Sequence, residues 1–127
     1  MIVVDTSALI AIVLREAQAP LCVKVLETET EVLASAGTIA EALIVAGRRQ
    51  VAHEMAELLD GLTIEIATVT PASARRVAQA YEQWGKGVHP AGLNFGDCFA
   101  YALAKEHSCP LLYIGDDFSK TDVAGVL

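Results

Sequence analysis

Two patterns of apolar residues alternate along the chain. Short, continuous apolar runs are typical of strands that are buried on both faces. Apolar positions that recur every three or four residues favour amphipathic helices. The pattern predicts strands at residues 2–4, 31–35, 62–69 and 110–115, and helices at 6–15, 20–27, 38–49, 51–61, 70–85 and 95–107.

Strands that alternate with helices in this way predict an α/β fold with a parallel sheet. The length of 127 residues suits one compact domain, residues 1–127. We therefore expect a three-layer α/β/α sandwich whose central parallel sheet has four or five strands. Residues 86–93 are predicted to form a loop, and residues 116–122 a loop or a short turn of helix.

Acidic residues that are far apart in sequence fall at equivalent ends of these elements. Asp5 directly follows the first strand, and Asp116 and Asp117 directly follow the last. Glu41 lies in the first turn of the helix after the second strand, and Asp97 lies in the first turn of the helix that leads into the last strand. Parallel strands end at one edge of the sheet, where ligands bind, so these acids are predicted to share that edge.

Each acid also has a local interpretation. Asp5 or Thr6 can cap the first helix, and Asp116 and Asp117 can be ordinary turn residues. Capping boxes also fit the starts of two later helices, through the pairs Thr38–Glu41 and Asn94–Asp97.

The neighbours of the two helical acids favour a shared site over capping alone. Glu41 shares a helical face with Ile44 and Val45, and Asp97 shares one with Tyr101. Such apolar stripes are expected to face protein rather than water. No Lys or Arg occurs in the first two turns of either helix to pair with these acids.

A cluster of carboxylates needs a cation or bound protons. Two carboxylates about 5 Å apart repel by roughly 3 kcal/mol at an effective dielectric constant of 20, and a helix N-terminus offsets only about 0.3–1 kcal/mol. An all-oxygen ligand set favours Mg²⁺ or Mn²⁺. His53, His89 and His107 show no metal-ligand spacing and are expected on the surface or in loops.

Composition limits the partners that the protein can have. The chain is 54% hydrophobic, and its mean hydropathy of +0.44 indicates apolar surface covered by a partner or by a second copy. The net charge of −7 argues against holding nucleic acid by a broadly basic surface, and it suits a basic protein partner. Three cysteines without a CxxC pair predict reduced thiols in a cytoplasmic protein, and no membrane-spanning segment is expected.

Four segments together resemble the PIN-domain family, and within it the VapC-type toxins of toxin–antitoxin pairs. They are "IVVDTSALIAI", "TIAEAL", "LNFGDCFAYALAKE" and "LLYIGDDFSKTD", which follow the family's order in a chain of about the family's length. The resemblance implies an α/β/α sandwich with Mg²⁺- or Mn²⁺-dependent endoribonuclease activity. It also implies an RNA substrate, a cognate antitoxin as partner and a homodimer.

Carried over by position, the resemblance assigns the catalytic and metal-binding acids. Asp5, Glu41 and Asp97 match the first three acids of the family, with Asp5 and Asp97 as direct metal ligands. The fourth acid is open between Asp116 and Asp117, and we prefer Asp116 because it is nearer to the end of the strand.

Several polar residues are expected to support these acids. Thr6 and Ser7 match hydroxyl positions beside the site, and Asn94 matches a polar position before the third acid. Lys86 and His89, in the Gly-containing loop, are the preferred substrate contacts. The alternative function is a catalytically inactive PIN-like module that binds RNA or protein, although such a module need not keep the full set of acids.

Overall fold

The structure is a computed structural model that describes all residues, 1–127. It contains four strands, six α-helices and one short 3₁₀ turn at Phe118–Lys120. In chain order these are β1 (Ile2–Val4), α1 (Thr6–Val13), α2 (Ala19–Thr28), β2 (Val32–Ser35), α3 (Ala36–Arg48), α4 (Ala52–Gly61), β3 (Ile64–Ala67), α5 (Pro71–Trp84), α6 (Phe95–Glu106) and β4 (Leu111–Leu112).

All four strands are parallel and lie in the order β3-β2-β1-β4. The chain steps outward from β1 to β2 and β3, and then returns to the other side of β1 to add β4. The strand order therefore reverses between β1 and β4. In open α/β sheets, ligands bind beyond the carboxyl ends of the strands at such a reversal.

Alternate side chains of the strands pack into two separate hydrophobic cores. Val3 of β1 packs into a core built with α5 and α6, whereas Ile2 and Val4 pack into a second core built with α1, α2, α3 and α4. Both faces of the sheet are thus covered by helices, which explains the continuously apolar strands. The predicted three-layer α/β/α sandwich is confirmed.

Local sequence signals account for several helix ends. Thr70 caps α5 in a capping box with Ser73, and Pro71 occupies the first helical position. The predicted start of α3 is wrong, because Ser35 caps this helix by accepting a hydrogen bond from Gly37 N at 3.1 Å. Thr38 therefore lies inside the helix, where its hydroxyl donates to no acceptor, and it forms no capping box with Glu41.

The strands are shorter than the apolar runs suggested. β3 spans only Ile64–Ala67 at the edge of the sheet, where its side chains are partly or fully exposed. β4 is limited to Leu111–Leu112, so the residues from Tyr113 to Asp117 leave the sheet and curve over its carboxyl edge. This segment carries Asp117 close enough to Asp97 for their charges to interact.

Candidate functional site

Asp5 is fixed at the point where β1 passes into α1. Its Oδ2 accepts hydrogen bonds from Ser7 N (3.0 Å) and Ser7 Oγ (2.6 Å). The hydroxyl of Ser7 in turn accepts from Ile114 N at 3.0 Å, which ties the carboxylate to the chain leaving β4. Asp5 is only 2% exposed, yet its Oδ1 has no hydrogen-bond partner. One carboxylate oxygen is therefore held rigidly, and the other is free to accept a ligand.

The environment of Asp5 disfavours its negative charge. Burial raises the pKa of Asp5 to about 7, against the opposing effect of the two Ser7 hydrogen bonds. The charges of Asp97 and Glu41 raise this pKa further, which shows that these carboxylates lie near Asp5. Without a cation, Asp5 is thus partly protonated at neutral pH.

Glu41 reaches the same place from α3. Its Oε1 accepts a hydrogen bond from the Thr6 hydroxyl at 2.7 Å, so the first residue of α1 holds a carboxylate of another helix. On its other side the carboxylate packs against Gly96 so tightly that a Cβ at that position would overlap it. Glu41 lies in the second turn of its helix rather than the first, because α3 begins at Ala36.

Asp97 enters from the first turn of α6. Asn94 Oδ1 accepts from Asp97 N at 2.8 Å, and Asp97 Oδ2 accepts from Asn94 N at 2.9 Å, which completes a capping box. Partial burial nevertheless raises the pKa of Asp97 to about 6, and the charges of Glu41 and Asp117 act in the same direction. Asp97 therefore caps its own helix and also lies near other carboxylates.

The two acids after β4 are both exposed and follow Gly115, whose φ of +103° turns the chain. It is Asp117, rather than Asp116, whose charge raises the pKa of Asp97. The backbone carbonyl of Asp116 instead accepts from Ser119 N and Oγ in the following turn. Asp117 is thus close enough to Asp97 to be counted with the other acids, and the choice between Asp116 and Asp117 as the fourth site acid stays a prediction.

We use the term acid cluster for Asp5, Glu41, Asp97 and Asp117. No basic side chain offsets its charge, because the four ion pairs of the protein all lie elsewhere. Burial raises the pKa of the neighbouring Cys98 thiol to about 11, so this sulfur stays protonated and is a poor metal ligand. The cluster offers only oxygen donors.

An all-oxygen donor set with an unpartnered buried oxygen fits a hard divalent cation such as Mg²⁺ or Mn²⁺. In their present rotamers, no three of the side chains are spaced as metal ligands. Glu41 is directed to the Thr6 hydroxyl and Asp97 to the backbone of Asn94. Ligation by three or more of them therefore requires side-chain rotation.

The predicted substrate contacts lie in the loop after α5. Lys86 is exposed, and no hydrogen bond or ion pair connects it to the acid cluster. His89 Nδ1 accepts from Ala91 N at 3.0 Å, and its ring packs edge-on against Trp84 at 4.7 Å. The imidazole of His89 therefore stabilises its own loop, and a role in binding substrate stays a prediction.

One exposed residue beside the acids was not among the predicted site residues. Phe95, two positions before Asp97, is 72% exposed, the largest exposed fraction of any large apolar side chain in the protein. Ile44, predicted to face protein with Glu41, is also 63% exposed. The sequence signal available for Phe95 is an aromatic residue at the first helical position, immediately before the Gly-Asp pair of α6.

Comparisons with known proteins agree on a single family. The family model described as "PIN domain" matches residues 2–124. Ribonuclease VapC42 of Mycobacterium tuberculosis is 40% identical over 125 residues, which cover 95% of this chain and 95% of that protein. The crystal structure of Mycobacterium tuberculosis VapC20, described as a sarcin-ricin loop cleaving toxin, superposes with a TM-score of 0.81 and 17% identity, covering 99% of this chain and 98% of that one. A toxin–antitoxin complex from Klebsiella pneumoniae superposes with a TM-score of 0.69 and 18% identity, covering 96% and 93%.

Proposed function

The chain belongs to the PIN-domain family, and from that premise we propose that it is a metal-dependent endoribonuclease, the toxin of a toxin–antitoxin pair. The observation that carries the proposal is the acid cluster. Four carboxylates from distant parts of the chain meet beyond the carboxyl ends of β1 and β4 without a basic partner. Relatives named ribonucleases, at 40% identity over almost the whole chain, support the same activity.

Asp5 and Asp97 are proposed as direct ligands of Mg²⁺ or Mn²⁺. Glu41 and one of the acids after β4 would bind a second ion or hold water molecules of the first. A bound divalent cation would polarise the phosphate and lower the pKa of a water molecule. The hydrogen bonds from Ser7 to Asp5 and from Thr6 to Glu41 would keep these carboxylates oriented during that chemistry.

The proposed reaction is hydrolysis of an RNA phosphodiester. A carboxylate of the acid cluster orients the attacking water and accepts its proton. The water oxygen forms a bond to phosphorus, and the bond from phosphorus to the 3′ oxygen breaks. The departing 3′ oxygen takes up a proton from solvent, so the products carry a 5′-phosphate and a 3′-hydroxyl.

The function is tested by mapping cleavage sites in total RNA with Mg²⁺, with Mn²⁺ and with a chelator. We expect discrete internal cuts that need the divalent ion and leave 5′-phosphates. RNA left intact under all conditions, with no binding of Mn²⁺, would instead favour the inactive PIN-like module.

Substitution of Gly96 should reduce activity without reducing stability. The added methyl group of Gly96→Ala overlaps the Glu41 carboxylate, the flexible end of a side chain, which must move away from its present position. A displacement of about 1 Å at a catalytic group costs up to about 100-fold in rate. Gly47→Ala in α3 is the matched control, since a Cβ there meets nothing within 4 Å. We expect the rate of RNA cleavage to fall about 10- to 100-fold for Gly96→Ala and to stay at the wild-type value for Gly47→Ala. Equal rates for the two variants would contradict the placement of Glu41 in the site.

We further propose that the cognate antitoxin binds an apolar groove between α1, α2 and α4. The groove has a volume of about 210 Å³ and is bordered by Glu27 and Glu57, which suit a partner with basic side chains. Solved structures similar to this chain include the toxin–antitoxin complex from Klebsiella pneumoniae. The apolar lining of the groove consists of Ile12, Val23, Leu26, Leu58 and Leu62.

Homodimerisation and a cytoplasmic location are proposed as well. Exposed apolar residues also occur outside the groove, among them Ile66 in the edge strand β3 and Val69 just after it. A second copy of the chain could cover this surface. None of the helices combines the length and the apolar character needed to cross a membrane. All three cysteines are free, as expected for the reducing environment of the cytoplasm.

A further inference from the structure

We propose that Phe95 is a stacking platform for an RNA base adjacent to the phosphate that is cut. The inference rests on the proposed ribonuclease function and adds a substrate-binding residue to it. The proposed contact with RNA is made by a neutral aromatic side chain, whereas nucleic-acid sites normally rely on basic side chains.

Phe95 adjoins the acid cluster along the chain. The next residue, Gly96, packs directly on the Glu41 carboxylate, and the one after it is Asp97. A strand whose phosphate reaches the acid cluster can therefore place a neighbouring base over Phe95.

The ring of Phe95 is supported although it is exposed. It packs edge-on against Phe99, with 5.0 Å between ring centroids and an interplanar angle of 88°. Phe99 is fixed in turn by its contact with Gly37 at the start of α3. An edge-on contact covers at most one face of the Phe95 ring, and with 72% of the residue exposed a face is left on which any nucleobase can stack.

The fold itself does not require an aromatic side chain at this position. The cap of α6 is completed by Asn94 and Asp97, and the core beneath it is filled by residues such as Leu93 and Cys98, both fully buried. Phe95, at 72% exposure, leaves most of its apolar surface in water. That unfavourable exposure is relieved when a base covers the ring.

The charge of the surroundings favours a base over a second copy of the chain. A protein surface seated on Phe95 would also cover the first turn of α6, which carries Asp97, and no basic side chain is paired with Asp97 to offset the loss of water. A base covers only the ring and leaves the carboxylates open to water and cations. A neutral contact also avoids the repulsion between phosphates and a chain of net charge −7.

The test measures cleavage of a short RNA that contains one mapped cut site, using wild type, Phe95→Ala and Phe95→Trp. Stacking of a base on an aromatic side chain corresponds to about a 5- to 150-fold difference in affinity. We expect kcat/KM of Phe95→Ala to fall by about tenfold or more, mostly through KM, and Phe95→Trp to retain it. Leu21→Ala, which removes another exposed apolar side chain on α2, is the control and should match wild type.

A second substrate identifies the contact. The same RNA with an abasic nucleotide beside the cut phosphate should be cleaved equally by wild type and Phe95→Ala, because neither protein can then stack a base there. If wild type cuts the intact RNA and Phe95→Ala cuts it equally well, the stacking role is wrong and the ribonuclease function stands. If wild type cuts no RNA, both are wrong. A different result would assign Phe95 to an interface between two copies of the chain. In that case wild type would sediment as a dimer and Phe95→Ala as a monomer, and wild type would still cut the abasic RNA faster than Phe95→Ala.

Discussion

Asp97→Asn is expected to abolish divalent-ion-dependent RNA cleavage while leaving the protein folded. The amide oxygen of asparagine can still accept from Asn94 N, as Asp97 Oδ2 does at 2.9 Å, so the capping box of α6 is retained. The substitution removes a negative charge that the acid cluster would present to a cation. Loss of a group that acts in proton transfer lowers rates by about 10²–10⁴-fold, and loss of a metal ligand adds to that effect.

The measurement is single-turnover cleavage of a defined RNA in Mg²⁺ and in Mn²⁺, with thermal unfolding as the check on folding. Asp60→Asn is the matched control, because Asp60 is an exposed acid on α4, far from the site in sequence, and makes no side-chain hydrogen bond. Its rate should equal that of wild type. Asp97→Asn with at least a tenth of wild-type activity would refute the assignment of Asp97 as a metal ligand.

The layers of the fold follow from apolar patterns that are local in sequence. Val3 packs against one face of the sheet, and Ile2 and Val4 pack against the other. Because both faces are buried, the strand is apolar at every position. The helix beginning at Thr70-Pro71 was predictable for a similar reason, because a cap and a first-position proline are local chemical signals. Such features need no knowledge of the rest of the chain.

The errors arise where two local signals compete or where a contact is distant in sequence. Ser35 and Thr38 are both good capping residues, and the end of β2 at Ser35 decided between them. The orientation of Ile44 depends on how α3 approaches α6. The choice between Asp116 and Asp117, which stays open, depends in the same way on how the turn after Gly115 approaches α6. Periodicity along one element carries no information about that approach.

The capping interpretation and the shared-site interpretation of the acids turn out to be compatible. Asp5 caps α1 with one oxygen and leaves the other unpartnered, and Asp97 takes part in a capping box while facing other carboxylates. A capping hydrogen bond fixes the side chain on its helix without consuming both carboxylate oxygens. In this protein, capping is thus a means of positioning the acids, which is why sequence patterns alone could not separate the two roles.

Asp5→Asn is expected to stabilise the cation-free protein at alkaline pH and to have little effect at acid pH. The pKa of Asp5 is about 7 in the folded protein and 3.8 ordinarily, so the folded state binds more protons than the unfolded state between these values. The free energy of unfolding of wild type therefore falls as pH rises from about 4 through about 7. The ionisation cost reaches roughly 4 kcal/mol above pH 7.

The neutral amide avoids this cost. Its NH₂ group, at the position of the unpartnered Oδ1, lacks an acceptor just as the hydroxyl of the protonated acid does, so this penalty cancels near pH 4. We therefore expect Asp5→Asn to exceed wild type by up to about 4 kcal/mol in chelator near pH 8, and the difference to vanish near pH 4. Denaturant unfolding across this pH range, with Asp60→Asn as the control, measures it.

Added Mn²⁺ should offset most of the stability advantage of Asp5→Asn. A ligand that binds only the folded state at 1,000 times its dissociation constant contributes about 4.1 kcal/mol. Wild type, whose Asp5 carboxylate can bind the ion and lose its proton, should gain this stabilisation at pH 8, whereas Asp5→Asn should gain little. A wild-type protein whose stability neither falls between pH 5 and pH 8 in chelator nor rises with Mn²⁺ would show that the buried Asp5 carboxylate does not bear an uncompensated charge.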